Sequence, residues 1–427
     1  MTPRERAYVI LQRVEDEKAF AAPLLGRSEE SDLFVRTLVL GVLRWRGQLD
    51  FLIKRLSKRP LGKLQPAVIR ILRLGLFQLM RSDVAGYAAV SESVNLTARH
   101  APHATKLVNA VLRSATRTNL PSLIPQGDDD ESLAIRYSHP LWLVSRWRER
   151  YGKTRTRAIL TADQELSYPD LLVNTEKIAA ADLLDRAIQK GVKASPSSFS
   201  DLMIRIQESS MGLASEIEEG LVFPMDEGSA VIVSLLGDAP RRVLDAAAAP
   251  GGKSLAMAVA GHEVTSLDLS IGRLGPLRLA HRRFFSAVPR AVVADARQLP
   301  FRARFDVALL DAPCSASGTF RKNPEAKWRM TKESLEEHAA LQRELLRSVL
   351  AVAPECIYST CSLEQEENEA VVASIVGETS ELECFDLASR ATGTIGQWIE
   401  GGVLRLTPEA GTDGFTAHGI RLKRSIT

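Results

Sequence analysis

Apolar residues recur at helical spacing through the first 120 positions. Ala7, Ile10, Leu11 and Val14 follow a start signal: Thr2 can cap, Pro3 sits at the first helical position and Glu5 stands three residues after the cap. The spacing predicts further helices over 32–43, 49–56, 68–79, 88–98 and 105–115. In the helix over 68–79, Val68, Ile71, Leu72, Leu76 and Leu79 form one stripe. Residues 118–131 break the pattern with Asn119, Pro121, Pro125, Gly127 and an Asp-Asp-Asp-Glu run, which is linker composition. From Tyr137 the pattern is mixed. His139-Pro140 precedes an amphipathic helix with Trp142 and Trp147; 171–174 reads as a strand, 179–191 as a helix and 196–200 as a turn. From Arg242 short apolar runs alternate with helical segments. The runs are 243–246, 264–267, 291–294, 307–310 and 356–359, and the longest helix is 332–352. Such alternation implies a parallel sheet. No internal repeat is present. The expected architecture is multidomain: an all-α domain over 1–125, a small α+β segment over 132–235 and an α/β domain over 236–427.

Composition narrows the class. With 427 residues, 45% apolar and 25% charged, the chain can bury two or three domain cores. It is not collagen-like, disordered or a disulfide scaffold. No run approaches the ~20 apolar residues of a membrane helix, and the start MTPRERAYVI lacks a secretory core, so a cytoplasmic protein without a membrane partner is expected. Cys314, Cys356, Cys361 and Cys384 show no repeated C-x-x-C spacing, so free thiols and no metal are expected. The net charge of +3 hides a division. Residues 1–120 carry 20 Lys and Arg against 10 Asp and Glu, or +10; the remainder carries −7. The densest stretch holds Arg44, Arg46, Lys54, Arg55, Lys58, Arg59, Lys63, Arg70 and Arg73 against Asp50 alone. A basic module suits a polyanion. A solvated helical face is the other reading, and charge alone does not separate the two.

The candidate strands end at Asp245, Asp268, Asp295, Asp311 and Thr360. Ligands of open α/β sheets bind beyond the carboxyl ends of the strands. The first leads into a loop containing Ala248, Ala249, Pro250, Gly251, Gly252 and Lys253. A phosphate-binding loop would need Gly at 247, where this chain has Ala247, and no G-x-G-x-x-G is present. Asp268 can accept from ribose hydroxyls and Asp295 from an adenine amine. A ribose and adenine site without a phosphate cradle suggests S-adenosylmethionine. Each aspartate alone also reads as a helix cap; their shared position favours the ligand. Cys314 and Cys361 both lie just past an apolar strand on this edge, whereas Cys356 reads as core. Carbon 5 of cytosine is a poor nucleophile. A thiolate added at carbon 6 makes carbon 5 able to attack a methyl donor, and an acid at N3, such as protonated Asp311, drains charge from the ring. The residues alone do not rank the two cysteines.

These motifs together resemble the Sun-type (RsmB/Fmu) ribosomal RNA cytosine-5 methyltransferases of bacteria, within the Nol1/Nop2/Sun family. The resemblance rests on Ala-Pro-Gly-Gly-Lys at 249–253, on Asp268 with Arg273 and Leu274, and on Asp-Ala-Pro-Cys-Ser at 311–315. It continues through Gly318, Arg321, Pro324 and Lys327-Trp328, Ser-Thr-Cys-Ser at 359–362, Glu367-Asn368-Glu369 and Asp413-Gly414-Phe415. Leu43-Arg44, Leu49-Asp50, Leu72-Arg73-Leu74-Gly75 and Asn109–Arg113 resemble the NusB-like domain fused to such enzymes, and Val173-Asn174-Thr175 with Asp226-Glu227 their small RNA-binding subdomain. The resemblance implies a Rossmann-like methyltransferase domain behind a NusB-like one. It implies Cys361 as nucleophile, Cys314 in product release, Asp311 and Pro313 at the cytosine and Lys253 near both donor and target. Ala248 to Gly252, Asp268, Arg273, Asp295 and Asp311 would bind S-adenosylmethionine. The implied partner is small-subunit (16S) rRNA, free or early in assembly, met by a monomer; no DNA partner is expected. Two other readings stay open: the same chemistry on tRNA, or an inactive RNA-binding assembly protein. The chain departs from the pattern at Met225, Ala247, the short segment after Arg273 and Thr416-Ala417-His418.

Overall fold

The computed structural model describes residues 1–26, 30–82, 84–167, 169–207, 210–302 and 304–423; side-chain detail covers the same residues except 30–32 and 210–211. The chain forms two compact units. One is Met1–Glu165 with Phe320–Arg329, the other Leu166–Thr319 with Met330–Thr427.

The first unit is helical. Its helices Pro3–Asp16, Glu30–Arg44, Arg46–Ser57, Pro66–Arg81, Gly86–His100 and Thr105–Thr116 contain the expected ones. Thr2 caps the first, its hydroxyl accepting from the Glu5 amide at 3.2 Å. Leu11, Leu38, Leu49, Leu52, Ile71 and Leu72 are fully buried in its core. Residues 118–131 are more ordered than their composition implies. They contain Leu120–Leu123 and the start of Asp130–Arg136, and Asp129 of the acidic run caps the latter through the Ser132 amide at 2.8 Å. An acidic run at a helix start is stabilising because the first amides lack partners.

The basic stretch also divides. Arg70 and Arg73 are buried and paired with Glu15, Asp16 and Asp50, and Arg44 is buried. Lys54, Arg55, Lys58, Arg59 and Lys63 are exposed. Part of the apparent polyanion signal is therefore internal charge pairing. Phe320–Arg329 belongs by its contacts to this helical unit. Lys327 donates to the Arg44 carbonyl at 2.9 Å, the Trp328 indole to that of Leu43 at 2.8 Å, and Glu325 accepts from the Ala21 amide at 2.9 Å.

The second unit holds two sheets. The smaller contains β1 (Asp170–Val173), β2 (Ala194–Pro196), β3 (Met203–Ile206) and β4 (Val222–Met225), antiparallel in the order β2-β3-β1-β4. The larger contains β5 (Arg242–Asp245), β6 (Glu263–Asp268), β7 (Arg290–Val293), β8 (Val307–Asp311) and β9 (Glu355–Thr360), parallel in the order β7-β6-β5-β8-β9. Each expected strand is present within two residues at either end. The antiparallel β13 (Phe415–Leu422) lies beside β9, and its other edge takes β12 (Val403–Leu406) and then β10 (Leu382–Phe385); β11 (Ile399–Glu400) pairs β12. Val243, Leu244, Val307, Leu309, Cys356 and Ile357 are fully buried, as strands covered on both faces require. The strand order reverses between β5 and β8, so the loops after these strands open at the sheet's switch point.

Candidate active site

The loop after β5 lies at that switch point. Gly251 is left-handed, with φ of +109°, and a side chain there would meet Cβ of Leu277 at 2.4 Å. Glycine is thus demanded by the close approach of helix Gly275–Phe285, which also fills the segment that looked short after Arg273. At Gly252 a Cβ would meet Phe223 and Met225 only at ordinary contact distances. Ala248 is buried and donates to the Leu267 carbonyl at 2.9 Å; Pro250 is exposed. Beneath the loop Asp245 is buried and accepts from Ser254 at 2.5 Å. Burial pushes its carboxyl up to about 6, against the hydrogen bond from Ser254 and the charge of Lys253.

The donor set suits a nucleoside that carries no phosphate. Asp268 ends β6 with its side chain 4% exposed, accepts from the Ala249 amide at 3.2 Å and lies 3.5 Å from Nε of Arg273. A carboxylate has about four acceptor sites, so capacity remains for hydroxyls. Asp295, two residues past β7, is gripped by Arg297, whose hydrogen bonds lower its pKa. Carboxylates thus flank the loop. Among the described residues no group of three or more His, Cys, Asp or Glu is placed to hold a metal ion, and no helix is long and apolar enough to cross a membrane.

Strand register brings the second half of the site together. Asp311 of β8 is the parallel partner of Ser359 in β9. The chains then leave the sheet side by side, and three residues past one and two past the other the sulfurs of Cys314 and Cys361 come to 3.2 Å. Both are half-buried, whereas Cys356 is buried in β9 and Cys384 is exposed. Lys253, from the first turn of helix Gly252–Val259, donates to Asp311 at 2.7 Å, and Ser359 donates to its other oxygen at 3.0 Å. The Lys253 ammonium stands 4.8 Å from the centre of the Phe415 ring. Burial works against its charge, but Asp311, Cys361 and Asp245 outweigh burial and raise its pKa. Cys314 is held well above the usual thiol range, first by its hydrogen bond with Cys361, then by burial and by the charges of Cys361 and Glu367. Pro313 is exposed, and its carbonyl accepts from Gln342 at 2.8 Å.

Several supporting residues carried no assigned role in the sequence reading. Glu367 is fully buried and accepts from the Ser315 amide at 2.7 Å and from the hydroxyls of Ser315 and Ser362, so one carboxylate ties both cysteine loops. Asn368 donates to the carbonyls of Ser362 and Glu364, and Thr416, in the atypical tail segment, donates to the Ser362 carbonyl at 3.0 Å. The Gly318 amide donates to the Cys361 carbonyl at 2.9 Å, and a Cβ at Gly318 would meet the Gly414 carbonyl at 2.4 Å. The available signal was a doublet: each cysteine is followed by serine, and a buried acid follows the second pair.

Comparison with known proteins identifies the family and its domains. Residues 234–420 match the family described as 16S rRNA methyltransferase RsmB/F, residues 1–117 the NusB family, and residues 139–211 the ferredoxin-like domain of RsmF/B-like methyltransferases. The chain is 31% identical to the ribosomal RNA small subunit methyltransferase B of Pseudomonas syringae pv. tomato, over 94% of this chain and 95% of that one. It is 29% identical to the probable ribosomal RNA small subunit methyltransferase B of Bacillus subtilis, over 98% of each. The crystal structure of the protein PH0851 covers 99% of both chains with a TM-score of 0.79 at 22% identity, so the whole fold is shared. A NusB-like helical domain, a small α+β segment and a Rossmann-like domain that takes S-adenosylmethionine as cofactor are therefore joined in one chain, and that chain belongs to the RsmB/F family of 16S rRNA methyltransferases.

Proposed function

We propose that this protein methylates carbon 5 of a cytosine in small-subunit rRNA. The observation that carries the proposal is the pair of sulfurs 3.2 Å apart beside the Lys253–Asp311 ion pair, on the edge where the sheet would take its ligand. An enzyme methylating an exocyclic amine has no use for such a pair. S-adenosylmethionine, held by the loop 248–253, Asp268, Arg273 and Asp295, supplies the methyl group as an electrophile.

Cys361 adds as a thiolate to carbon 6 of the extruded cytosine. Electron density moves toward N3 and the carbonyl oxygen. Asp311 faces N3, and Lys253 shares its proton with Asp311, so the ring gains a proton instead of facing a bare carboxylate. Pro313 orients the base. Carbon 5 takes the methyl group and gives its proton to solvent water; the carbon–sulfur bond then breaks, N3 returns its proton to the Asp311–Lys253 pair, and Cys361 leaves as a thiolate. Cys314 assists that last step from its place beside Cys361. The exposed cluster Lys54, Arg55, Lys58, Arg59 and Lys63 offers the RNA backbone a cationic surface. The names of the curated relatives support small-subunit rRNA as the substrate. The protein acts as a cytoplasmic monomer on RNA free of most ribosomal proteins, since the base must leave its stack.

The test uses the Cys314→Ala protein, S-adenosylmethionine and deproteinised small-subunit rRNA lacking its cytosine-5 methyl groups, with tRNA alongside. A denaturant-resistant adduct on rRNA, lost in the Cys314→Ala, Cys361→Ala double mutant, is the expected result. Adduct on tRNA alone would overturn the substrate. Multiple-turnover methylation of rRNA by Cys361→Ala would overturn the mechanism.

A further inference from the structure

The two cysteine loops are fastened unequally. The Cys361 loop is held by groups other than Glu367. The Ser362 amide donates to the Thr360 hydroxyl at 3.1 Å, and the Ser362 carbonyl accepts from Asn368 at 3.0 Å and from Thr416 of β13 at 3.0 Å. The Cys314 loop takes a different course. It passes through Ala316, which has a left-handed φ of +59° although it is not glycine. Such a conformation is costly and persists only where its surroundings hold it. Beyond it, the loop is fastened again where the Gly318 amide meets the Cys361 carbonyl at 2.9 Å.

Before the strained residue, the holder is Glu367. The Ser315 amide and hydroxyl both donate to its carboxylate. Gln342 donates to the Pro313 carbonyl at 2.8 Å and lies 3.4 Å from the same carboxylate. Both sequence neighbours of Cys314 therefore lead to one fully buried acid, whose own backbone is fixed to β9 by the Tyr358 hydroxyl on its carbonyl. We propose that Glu367 is the positioning residue of Cys314: it holds that sulfur against Cys361, so that release of the methylated base depends on Glu367 and attack on carbon 6 does not. The inference rests on Cys361 attacking and Cys314 assisting release. When the carbon–sulfur bond breaks, its electron pair passes to the Cys361 sulfur, and a Cys314 thiol 3.2 Å away is placed to hydrogen-bond it. Without Glu367, Ala316 is free to relax and carry Cys314 away, while Thr416, Asn368 and Thr360 still hold the Cys361 loop.

Glu367→Gln tests this in the full-length protein. It keeps the size of the side chain but turns one acceptor oxygen into a donor that cannot accept from serine. The first arm needs no RNA. The reduced protein is treated with the azo oxidant diamide, and peptide mass spectrometry follows a Cys314–Cys361 disulfide. The unmodified protein should close this bond, and Glu367→Gln should close it at least about tenfold more slowly. The second arm adds S-adenosylmethionine and deproteinised small-subunit rRNA lacking its cytosine-5 methyl groups. Glu367→Gln should make its first transfer within about threefold of the unmodified rate, lose at least about tenfold in turnover and accumulate a denaturant-resistant adduct. In a Cys314→Ala protein the same substitution should add nothing to the adduct, because a residue acting through Cys314 loses its object with the sulfur. Ser315→Ala, which removes only the hydroxyl contact, should move both arms in the same direction and decides the matter if Glu367→Gln does not fold. No closure in the unmodified protein, closure at the unmodified rate in Glu367→Gln, equal loss of first transfer and turnover, or an effect that adds to that of Cys314→Ala would overturn the proposal. Slowed closure in Glu367→Gln, with no adduct on RNA from any variant, would keep Glu367 as the clamp of the sulfur pair and overturn the functional reading.

Discussion

Replacing Lys253 by Met tests the proposed activation of the base at its least redundant point. The ammonium lies 2.7 Å from Asp311, and the two side chains are 14% and 25% exposed. At an effective dielectric constant of ~20 that separation corresponds to about 6 kcal/mol. Water reaching both groups removes roughly half, leaving about 3 kcal/mol, or a factor of about a hundred. In the substituted protein the Asp311 carboxylate would confront a ring acquiring negative charge, so the loss falls on the addition step. Single-turnover transfer of labelled methyl groups to rRNA, at saturating donor, should therefore slow about a hundredfold. Donor affinity by calorimetry should stay within about threefold, because Asp268 and the loop backbone are untouched. The pKa of Lys253 is raised, so the stabilisation it gives is complete below the ordinary lysine value and lost only as pH rises through the higher folded value. The stability difference between the two proteins should accordingly stay constant from neutral pH to about pH 10. A folded Lys253→Met protein that transfers methyl groups within about threefold of the unmodified rate would refute the reasoning.

Three further outcomes follow from the same structure. Neutralising Lys54, Arg55, Lys58 and Arg59 together should weaken RNA binding and reduce the salt slope by up to about 3, with the unfolding midpoint unchanged; an unchanged slope would make that surface a solvated face only. Arg73→Met should instead lower the unfolding free energy by about 2–3 kcal/mol, because it removes the buried cation shared by two half-buried carboxylates, Asp50 and Glu15, which keep only Arg46 and Arg70; urea titration reads this directly. Asp245 is raised from 3.8 to about 6, so the stability it contributes is present below pH 3.8 and lost as pH rises through 6. Asp245→Asn should therefore gain on the unmodified protein between about pH 4 and 6 and hold a lead of about 3 kcal/mol above that. A pH-independent difference would assign the burial cost elsewhere.

The fold was legible where periodicity and termination agreed. Strands β5, β6, β7, β8 and β9 were readable because each is an apolar run closed by an acid or threonine. The helix from Thr2 was readable because cap, proline and stripe coincide. Legibility failed where a residue's partner is distant in sequence. Arg70 and Arg73 read as surface charge because Glu15 and Asp16 stand more than fifty residues away. Residues 118–131 read as linker because Asp129 was counted for its charge and not as a cap. Lys327-Trp328 read as part of the methyltransferase motif, whereas their hydrogen bonds go to carbonyls of the helix Glu30–Arg44.

The site shows the same limit in sharper form. Sequence placed both cysteines at strand ends, and strand register then requires them to meet, because Asp311 and Ser359 are partners and the loops leave in parallel. What sequence could not supply was an asymmetry, since a Cys-Ser pair stands on each loop. What the fold adds is the frame around the pair: Glu367, on the turn after β9, ties both loops through Ser315 and Ser362, and Lys253, on the helix after β5, pairs with Asp311 at the foot of the Cys314 loop. Neither is a neighbour of Cys314 in sequence, so the contacts that hold the two sulfurs 3.2 Å apart are set by the fold and not by the local code.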